Sequence, residues 1–246
     1  MNKQQKILLY DIETTPNVSY TWGVYEQNVI DIKEQSYILS FAYKWLGDKS
    51  VKAYCLNDFK GDKKKLILKL HELFNEADII VAHNGSKFDV KISNREFVKY
   101  NLTPPSPYKI VDTLSLAYSK FRFQSNKLND LGVFLGLGSK VDTGGFSLWL
   151  ACMNNEGWAW KKMVKYNKQD VTLLEKVYLR LRPYMTTHPS IAIQNGYVCP
   201  LCGSKDVVSQ GWKIMTTYKR KQYQCKSCGK WSTSNEKIKI RDNYLV

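Results

Sequence analysis

Apolar residues recur in two different patterns along the first three quarters of the chain. Short runs rich in aromatic and β-branched side chains predict strands, and apolar residues three or four positions apart predict helices. The predicted strands are 7–10, 36–46, 51–55, 79–82 and 110–111, and the predicted helices are 63–74, 87–100, 128–135 and 158–181. Three strands that can pair antiparallel, followed by alternating helices and strands, predict an α/β fold with a mixed sheet.

The C-terminal segment differs from the rest of the chain because it contains four closely spaced cysteines. Pro183 and Pro189 mark the link that precedes it. A chain of 246 residues, 43% of them hydrophobic, is long enough for one domain with a full core and a small appendage. We therefore expect a larger domain at 1–185 and a small cysteine domain at 191–246.

Acidic residues stand at three of the predicted elements. Asp11 and Glu13 close the first strand, where side chains at i and i+2 point to the same face. Tyr166 and Asp170 are four residues apart on the last predicted helix and therefore share one of its faces. Asp89 begins a helix that follows a strand, a position from which a side chain can face a cleft. These residues are the candidate catalytic set.

Four carboxylates at one site repel each other unless cations neutralise them. Hard divalent ions such as Mg²⁺ or Mn²⁺ prefer carboxylate and water oxygens, so Asp11, Glu13, Asp89 and Asp170 are the candidate ligands. Two such ions roughly 4 Å apart can activate water and stabilise the leaving oxygen of a phosphodiester. Tyr166 would hold the attacking water through its hydroxyl, since a phenol with a pKa of about 10 is a poor base.

The order of these motifs resembles the DEDD superfamily of 3′→5′ exonucleases, in its tyrosine-bearing (DEDDy) subgroup. The matching motifs are Asp11-Ile12-Glu13, His83-Asn84 with Phe88-Asp89, Val111-Asp112-Thr113-Leu114, and Tyr166 with Asp170. The resemblance covers roughly residues 6–182 and implies a ribonuclease H-like mixed sheet flanked by helices. It also implies removal of single nucleotides from 3′ ends with two metal ions. The residues alone indicate a two-metal site for phosphoryl chemistry. The direction of digestion, from the 3′ end, comes from the resemblance.

Four further residues in this region are expected to support the structure. His83 is expected to turn the chain and bond the backbone, and Asp112 to cap an element or support the site. Cys55 and Cys152 are expected to be ordinary buried cysteines.

The cysteine segment has the spacing of a four-cysteine zinc site. Cys199 and Cys202 form one C-x₂-C pair, and Cys225 and Cys228 form the second, with 22 residues between the pairs. Each pair supplies two thiolates, and the two pairs can complete a tetrahedron around one structural Zn²⁺. The segment resembles a zinc ribbon, and two disulfides are the alternative.

The charge of the chain predicts a polyanionic partner. The formal net charge is +15, of which +7 lies in residues 191–246, and a protein this basic usually meets nucleic acid. The ribbon also carries two tryptophans and two tyrosines, Trp212, Tyr218, Tyr223 and Trp231, which suit stacking on unpaired bases. Two alternatives are that these aromatics form the ribbon core and that the ribbon docks a protein.

The combined reading is a metal-dependent 3′→5′ exonuclease acting on single-stranded ends, with DNA favoured over RNA. The alternatives are an RNA-processing 3′→5′ exoribonuclease and a non-catalytic nucleic-acid-binding adaptor. Replication or repair proteins are expected partners, since a proofreading role would need a separate polymerase.

The location expected from sequence is the cytoplasm. No apolar stretch approaches the roughly 20 residues that span a bilayer, and no signal peptide is expected. Reduced cysteines follow from that location, and a compact lysine-rich chain is compatible with a phage-encoded protein in a host cytoplasm.

Overall fold

A computed structural model describes residues 5–25, 28–140, 143–190 and 198–239 of the chain. These residues divide into two compact units, Gln5–Tyr178 and the described residues from Leu179 onward. The ends of the expected ribbon domain, 191–197 and 240–246, lie outside the described residues. No helix in the described part of the chain is long and apolar enough to cross a bilayer.

The first unit contains seven strands and six helices in the part of the chain that is described. Its strands are β1 (Ile7–Thr14), β2 (Val18–Tyr20), β3 (Asp31–Glu34), β4 (Ile38–Trp45), β5 (Lys52–Cys55), β6 (Ile79–Ala82) and β7 (Lys109–Asp112). Its helices are α1 (Lys63–Glu76), α2 (Asp89–Lys99), α3 (Thr113–Lys120), α4 (Leu128–Phe134), α5 (Ser147–Met153) and α6 (Gly157–Leu181), the last of which ends in the second unit. Single turns of 3₁₀ helix follow β5 (Leu56–Phe59) and α6 (Arg182–Tyr184).

The main sheet has five strands in the order β5-β4-β1-β6-β7. The β5-β4-β1 pairs are antiparallel and the β1-β6-β7 pairs are parallel, so the predicted mixed sheet is confirmed. Strand β1 lies at the centre and continues past the predicted end at residue 10 to Thr14. It does so because antiparallel pairing with β4 extends through Asp11, opposite Ala42, and Glu13, opposite Ser40.

The core of this unit lies between the sheet and its helices. Leu8, Tyr10 and Phe41 from the sheet are completely buried, and α1 contributes Leu70 and Phe74 from its apolar face. The rings of Tyr10 and Phe74 meet edge to face with centroids 5.2 Å apart, a favourable geometry for aromatic pairs. This packing holds the end of β1 in place relative to the helices.

Strands β2 and β3 form a two-stranded arm that the sequence patterns did not predict. Thr15 and Tyr37 clamp its base, since the backbone N–H of Thr15 donates to the Tyr37 carbonyl at 2.9 Å. Beyond the base the arm exposes large apolar side chains, including Trp22 at 89%. Its apolar positions face solvent rather than a core, so they show no burial periodicity that sequence analysis can detect.

The second unit contains a small sheet beside the four cysteines. Its strands are β8 (Val207–Ile214), β9 (Tyr218–Cys225), β10 (Trp231–Thr233) and β11 (Ile238–Lys239), and each of the other three pairs with β9. The buried residues are Cys199, Leu201 and Cys225, with Cys202, Val207 and Cys228 packed against them. The hydrophobic core of this unit is therefore built around the cysteine cluster.

Candidate active site and metal centres

Three of the predicted carboxylates converge at the end of β1. One oxygen each from Asp11, Glu13 and Asp170 lie within 4.8 Å of one another. The first two reach the same point because they are two residues apart on a strand, and Asp170 comes from α6. We name Asp11, Glu13 and Asp170 the acidic cluster.

Asp89 lies beside the acidic cluster rather than within it. It is the first residue of α2 and is buried, and its Oδ1 accepts a 3.3 Å hydrogen bond from the backbone N–H of Ile12. This bond ties the start of α2 to β1 between the two acidic positions of the strand. The charge of Asp89 is near enough to raise the pKa of Asp11.

Burial raises the pKa values of all four acids, and repulsion within the set raises those of Asp11 and Glu13 further. Burial raises the pKa of Glu13 to about 8, with repulsion from Asp170 as the next cause, and burial raises that of Asp89 to about 7. The pKa of Asp11 is raised by burial, Asp89 and Glu13, and that of Asp170 by burial. Without an added cation the site therefore retains protons near neutral pH.

Lys140 enters the acidic cluster from the segment between α4 and α5, and sequence analysis did not identify it. Its Nζ lies 2.6 Å from Asp170 Oδ2 and 3.4 Å from the Tyr166 hydroxyl. Burial lowers the pKa of this ammonium, but Asp170, Asp11 and Glu13 outweigh that cost and raise it overall. Lys140 is thus a positive charge within the predicted metal-ligand group.

Tyr166 and Asp170 lie on one face of α6, as their spacing predicts. The Tyr166 ring packs edge-on against Trp149 of α5, with centroids 6.2 Å apart. Burial, followed by the charges of Asp170 and Glu13, raises the pKa of Tyr166. The phenol therefore keeps its proton and can act as a hydrogen-bond donor rather than as a base.

Asn167 positions Asp11, a role that the sequence analysis missed. Its Nδ2 donates to Asp11 Oδ2 at 2.6 Å, and its Oδ1 accepts from Ser40 Oγ at 3.2 Å. The Asn167 side chain is fully buried, so both ends of its amide are occupied inside the protein. Its place between Tyr166 and Asp170 is the only sequence signal that pointed to it.

Asp112 organises the loop between β6 and α2. Its carboxylate accepts from the backbone N–H groups of Asn84 at 3.0 Å and Ser86 at 3.1 Å. It also accepts from Leu114 N at 3.0 Å and so caps α3. The expected capping role is confirmed, and it fixes the loop in which Asn84 adopts a left-handed φ of 67°.

His83 joins this loop to a more distant segment. Its Nδ1 lies 2.9 Å from Thr113 Oγ1 and its Nε2 lies 3.0 Å from the Asn126 carbonyl. Burial lowers the pKa of the imidazole, which favours the neutral form. These contacts agree with the structural role expected for His83.

An open cleft of about 800 Å³ reaches Lys140 and therefore the edge of the acidic cluster. Its lining includes His83, Asn84, Tyr118, Phe123 and Asn126. The Tyr118 side chain is 69% exposed, so its ring is accessible from the cleft. The volume falls in the range of small-molecule sites, and the lining combines aromatic rings with amides.

The acidic cluster fits a hard divalent cation. Its donor set consists of carboxylate oxygens, the ligands that Mg²⁺ and Mn²⁺ prefer. Asp170 Oδ1 is buried and has no hydrogen-bond partner among the described residues, an arrangement that a metal ion would satisfy. The residues present are therefore compatible with the binding of a divalent metal ion.

The four cysteines of the second unit fit a tetrahedral metal. Their sulfur atoms lie within 4.8 Å of one another, and none forms a disulfide. The Cys199–Cys228 and Cys202–Cys225 sulfur pairs are both 3.7 Å apart. A tetrahedron with Zn–S bonds of about 2.3 Å has S···S edges of about 3.8 Å. The geometry is thus compatible with a small structural zinc site.

Cys55 and Cys152 lie apart from that cluster. Both are buried in the core of the first unit, as the sequence predicted.

Comparison with known proteins agrees with this architecture. Over 70 residues, 27% of this chain, the sequence is 37% identical to the protein named DNA polymerase III PolC-type from Ureaplasma parvum, of which it covers 4%. The fold is similar to the family B DNA polymerase of the archaeon Pyrobaculum calidifontis, with a TM-score of 0.51 and 13% identity, over 73% of this chain and 25% of that one. The chain thus spans a quarter or less of either relative.

A family model extends over most of the chain. The model described as RNase_H superfamily matches residues 8–182, which include all three residues of the acidic cluster. Nucleases of this superfamily use divalent metals, and the acidic cluster is compatible with that use. The chain belongs to the RNase H superfamily of nucleases.

Proposed function

We propose that the protein is a 3′→5′ exonuclease of the tyrosine-bearing DEDD subgroup. The observation that carries the proposal is the convergence of Asp11, Glu13 and Asp170, with Asp89 tied to the same strand and Tyr166 one turn from Asp170. A site of this composition suits hydrolysis of a phosphodiester. The similarity to two DNA polymerases, both much longer than this chain, supports the same class of site.

Each residue has a defined task in this proposal. Asp11, Glu13, Asp89 and Asp170 would hold two Mg²⁺ or Mn²⁺ ions, which supply an activated water and stabilisation of the leaving oxygen. Asn167 fixes the orientation of Asp11 through its 2.6 Å bond. Tyr166, which retains its proton, would orient the attacking water by donating its hydroxyl hydrogen.

We propose single-stranded nucleic acid as the substrate, with DNA favoured over RNA. The cleft that reaches Lys140 holds an accessible tyrosine and several amides, which can stack on and bond an unpaired terminal base. A base within a duplex would have to leave its stack first. The preference for DNA rests on the relatives, whose names describe DNA polymerases. Replication or repair proteins are proposed partners for the same reason.

We propose domains at 1–185 for the nuclease and 191–246 for a zinc ribbon that binds nucleic acid. One Zn²⁺ held by Cys199, Cys202, Cys225 and Cys228 would be structural, because four thiolates leave no open position. The +7 charge of this segment favours a polyanion. Tethering such a module to the nuclease raises the effective concentration of substrate.

The first test is cleavage of 5′-labelled single-stranded DNA and RNA of matched sequence, with Mg²⁺, Mn²⁺ or neither. A metal-dependent ladder of products shortened from the 3′ end, absent in Asp11→Ala, is the expected result. Preference for the RNA substrate would support the exoribonuclease alternative. Tight, salt-sensitive binding without cleavage would support the non-catalytic adaptor and overturn the proposal.

A further inference from the structure

The four aromatic residues singled out in the ribbon, all of them among the described residues, lie outside the core of the second unit. The cluster around the cysteines contains none of the four aromatics singled out from the sequence. Trp212 and Trp231 are 41% and 46% exposed. These two tryptophans therefore do not form the core of the ribbon, and their exposure leaves them accessible to a ligand.

Strand pairing assigns these side chains to opposite faces of the small sheet. Trp212 lies opposite Lys221, and Ile214 and Ile238 both lie opposite Lys219. Because paired residues and alternate residues of a strand point to the same side, these five residues share one face. We call them the Trp212 face.

The other face carries the second tryptophan. Trp231 lies opposite Gln224 of β9. Gln224 is an odd number of positions from Lys219 and Lys221 on that strand, so the side chains of Gln224 and Trp231 point to the other side of the sheet. Tyr218 belongs to that face as well, and its ring is already contacted by Arg220 at 5.4 Å and Lys237 at 5.1 Å. The opposite face thus has one exposed ring and one ring engaged by cations.

The Trp212 face combines exposed apolar surface with positive charge. Trp212, Ile214 and Ile238 are 41%, 65% and 38% exposed, and Lys219 Nζ lies 4.8 Å from the Trp212 ring centroid. Asp206 and Glu236 are the acids among the described ribbon residues, and both lie outside the strands. A ring for stacking and cations for phosphates are the two requirements of a surface that binds unpaired nucleotides.

We propose that the Trp212 face binds single-stranded nucleic acid by stacking a base on Trp212 while Lys219 and Lys221 contact flanking phosphates. This inference rests on the proposed function for its ligand and identifies the surface that the ribbon uses. Stacking on a side chain requires a free base face, which a base paired inside a duplex does not offer. The surface is therefore selective for unpaired strands and tolerant of sequence.

The test measures binding of a labelled oligothymidylate and of a matched duplex by fluorescence anisotropy at several salt concentrations. All variants are made in full-length Asp11→Ala protein, so that the ligand stays intact. Trp212→Ala is expected to weaken single-strand binding about tenfold, the loss of one stacked base, and Trp212→Phe to restore much of it. Trp231→Ala, on the opposite face with similar exposure, is the matched control and should bind as the parent does.

The lysines give an independent readout. Changing Lys219 and Lys221 together to Ala should reduce the slope of log affinity against log salt by about 1.4, or roughly 0.7 for each lost phosphate contact. Zinc content and thermal unfolding of each variant show whether the ribbon remains folded. Equal affinities for Trp212→Ala, Trp231→Ala and the parent would overturn the inference, as would an equal loss on duplex.

This experiment separates the inference from the proposed function. Binding in the Asp11→Ala background does not depend on hydrolysis, and cleavage is measured on the unaltered protein. Cleavage together with Trp212-independent binding would refute the surface and leave the nuclease intact. Trp212-dependent binding without cleavage would refute the nuclease and support the surface.

Discussion

Replacing Lys140 by methionine should destabilise the protein more when divalent ions are absent than when they are present. Methionine keeps most of the length of the side chain and removes its charge. Without Lys140, Asp170 loses the ammonium 2.6 Å from its Oδ2 while its side chain remains 1% exposed. In the presence of Mg²⁺, the ions proposed for the acidic cluster would neutralise the Asp170 carboxylate, so loss of the Lys140 ammonium should destabilise the protein less.

The expected magnitude follows from the geometry of this ion pair. Two unit charges 2.6 Å apart attract by about 6 kcal/mol at an effective dielectric constant near 20, before desolvation is subtracted. Removing one partner of a fully buried pair costs about 3–5 kcal/mol. The Lys140 side chain is 31% exposed, so solvent screening reduces our expectation to about 2 kcal/mol. For a protein of this size that corresponds to a decrease in Tm of about 4–8 °C.

Thermal unfolding with and without saturating Mg²⁺ measures this difference, with zinc present throughout. Lys44→Met is the matched control because Lys44 Nζ lies 2.7 Å from Glu175 Oε2, also on α6, with side chains 12% and 16% exposed. Neither Lys44 nor Glu175 belongs to the acidic cluster, so the decrease in Tm caused by Lys44→Met should not depend on Mg²⁺. If Lys140→Met lowers the Tm equally with and without Mg²⁺, Lys140 does not compete with a metal ion and the reasoning is wrong.

Four further outcomes are expected. Asp89→Ala should abolish nearly all cleavage, whereas Asp130→Ala, which removes a partly buried acid outside the acidic cluster, should leave it unchanged in the oligonucleotide assay. Asn167→Leu should lower the free energy of unfolding by about 1–3 kcal/mol, because buried polar atoms lose their partner, and urea titration measures this. Because the pKa of Glu13 is raised from 4.5 to about 8, the folded state binds more protons than the unfolded state between these two pH values. The Tm without divalent ions should therefore fall as pH rises across this range to about 8, and added Mg²⁺ should reduce that fall. Cys225→Ser should reduce the zinc content measured by elemental analysis from one ion per chain to a small fraction.

Residues on regular elements were the part of the site that sequence could predict. Asp11 and Glu13 follow an apolar run, and the two-residue period of a strand gives them a common face. Tyr166 and Asp170 are one turn apart on a helix whose predicted and observed bounds differ by one residue at its start. In both cases the repeat of the strand or helix determines which side chains share a face. Tertiary packing had only to bring the two elements together.

Lys140 and the β2–β3 arm could not be predicted in this way. Lys140 lies between α4 and α5, where no helical or strand period specifies its direction, and it meets Asp170 across 30 positions of sequence. The arm exposes the apolar side chains that normally indicate a core, including Trp22. Both features depend on tertiary geometry, and local sequence patterns contain no signal for it.

The charge balance of the acidic cluster nevertheless requires positive charge among its carboxylates. Four carboxylates that are buried or tied to β1 cannot all be ionised unless positive charge lies among them. Three sources are available to this protein: protons, as the raised pKa values of Glu13 and Asp89 show, the ammonium of Lys140, and divalent ions. Protons are removed as pH rises, and Lys140 reaches Asp170 directly but can neutralise only one charge. At alkaline pH, divalent ions are therefore the source that could neutralise the remaining acids, and we expect binding of such ions to be linked to the stability of the folded site.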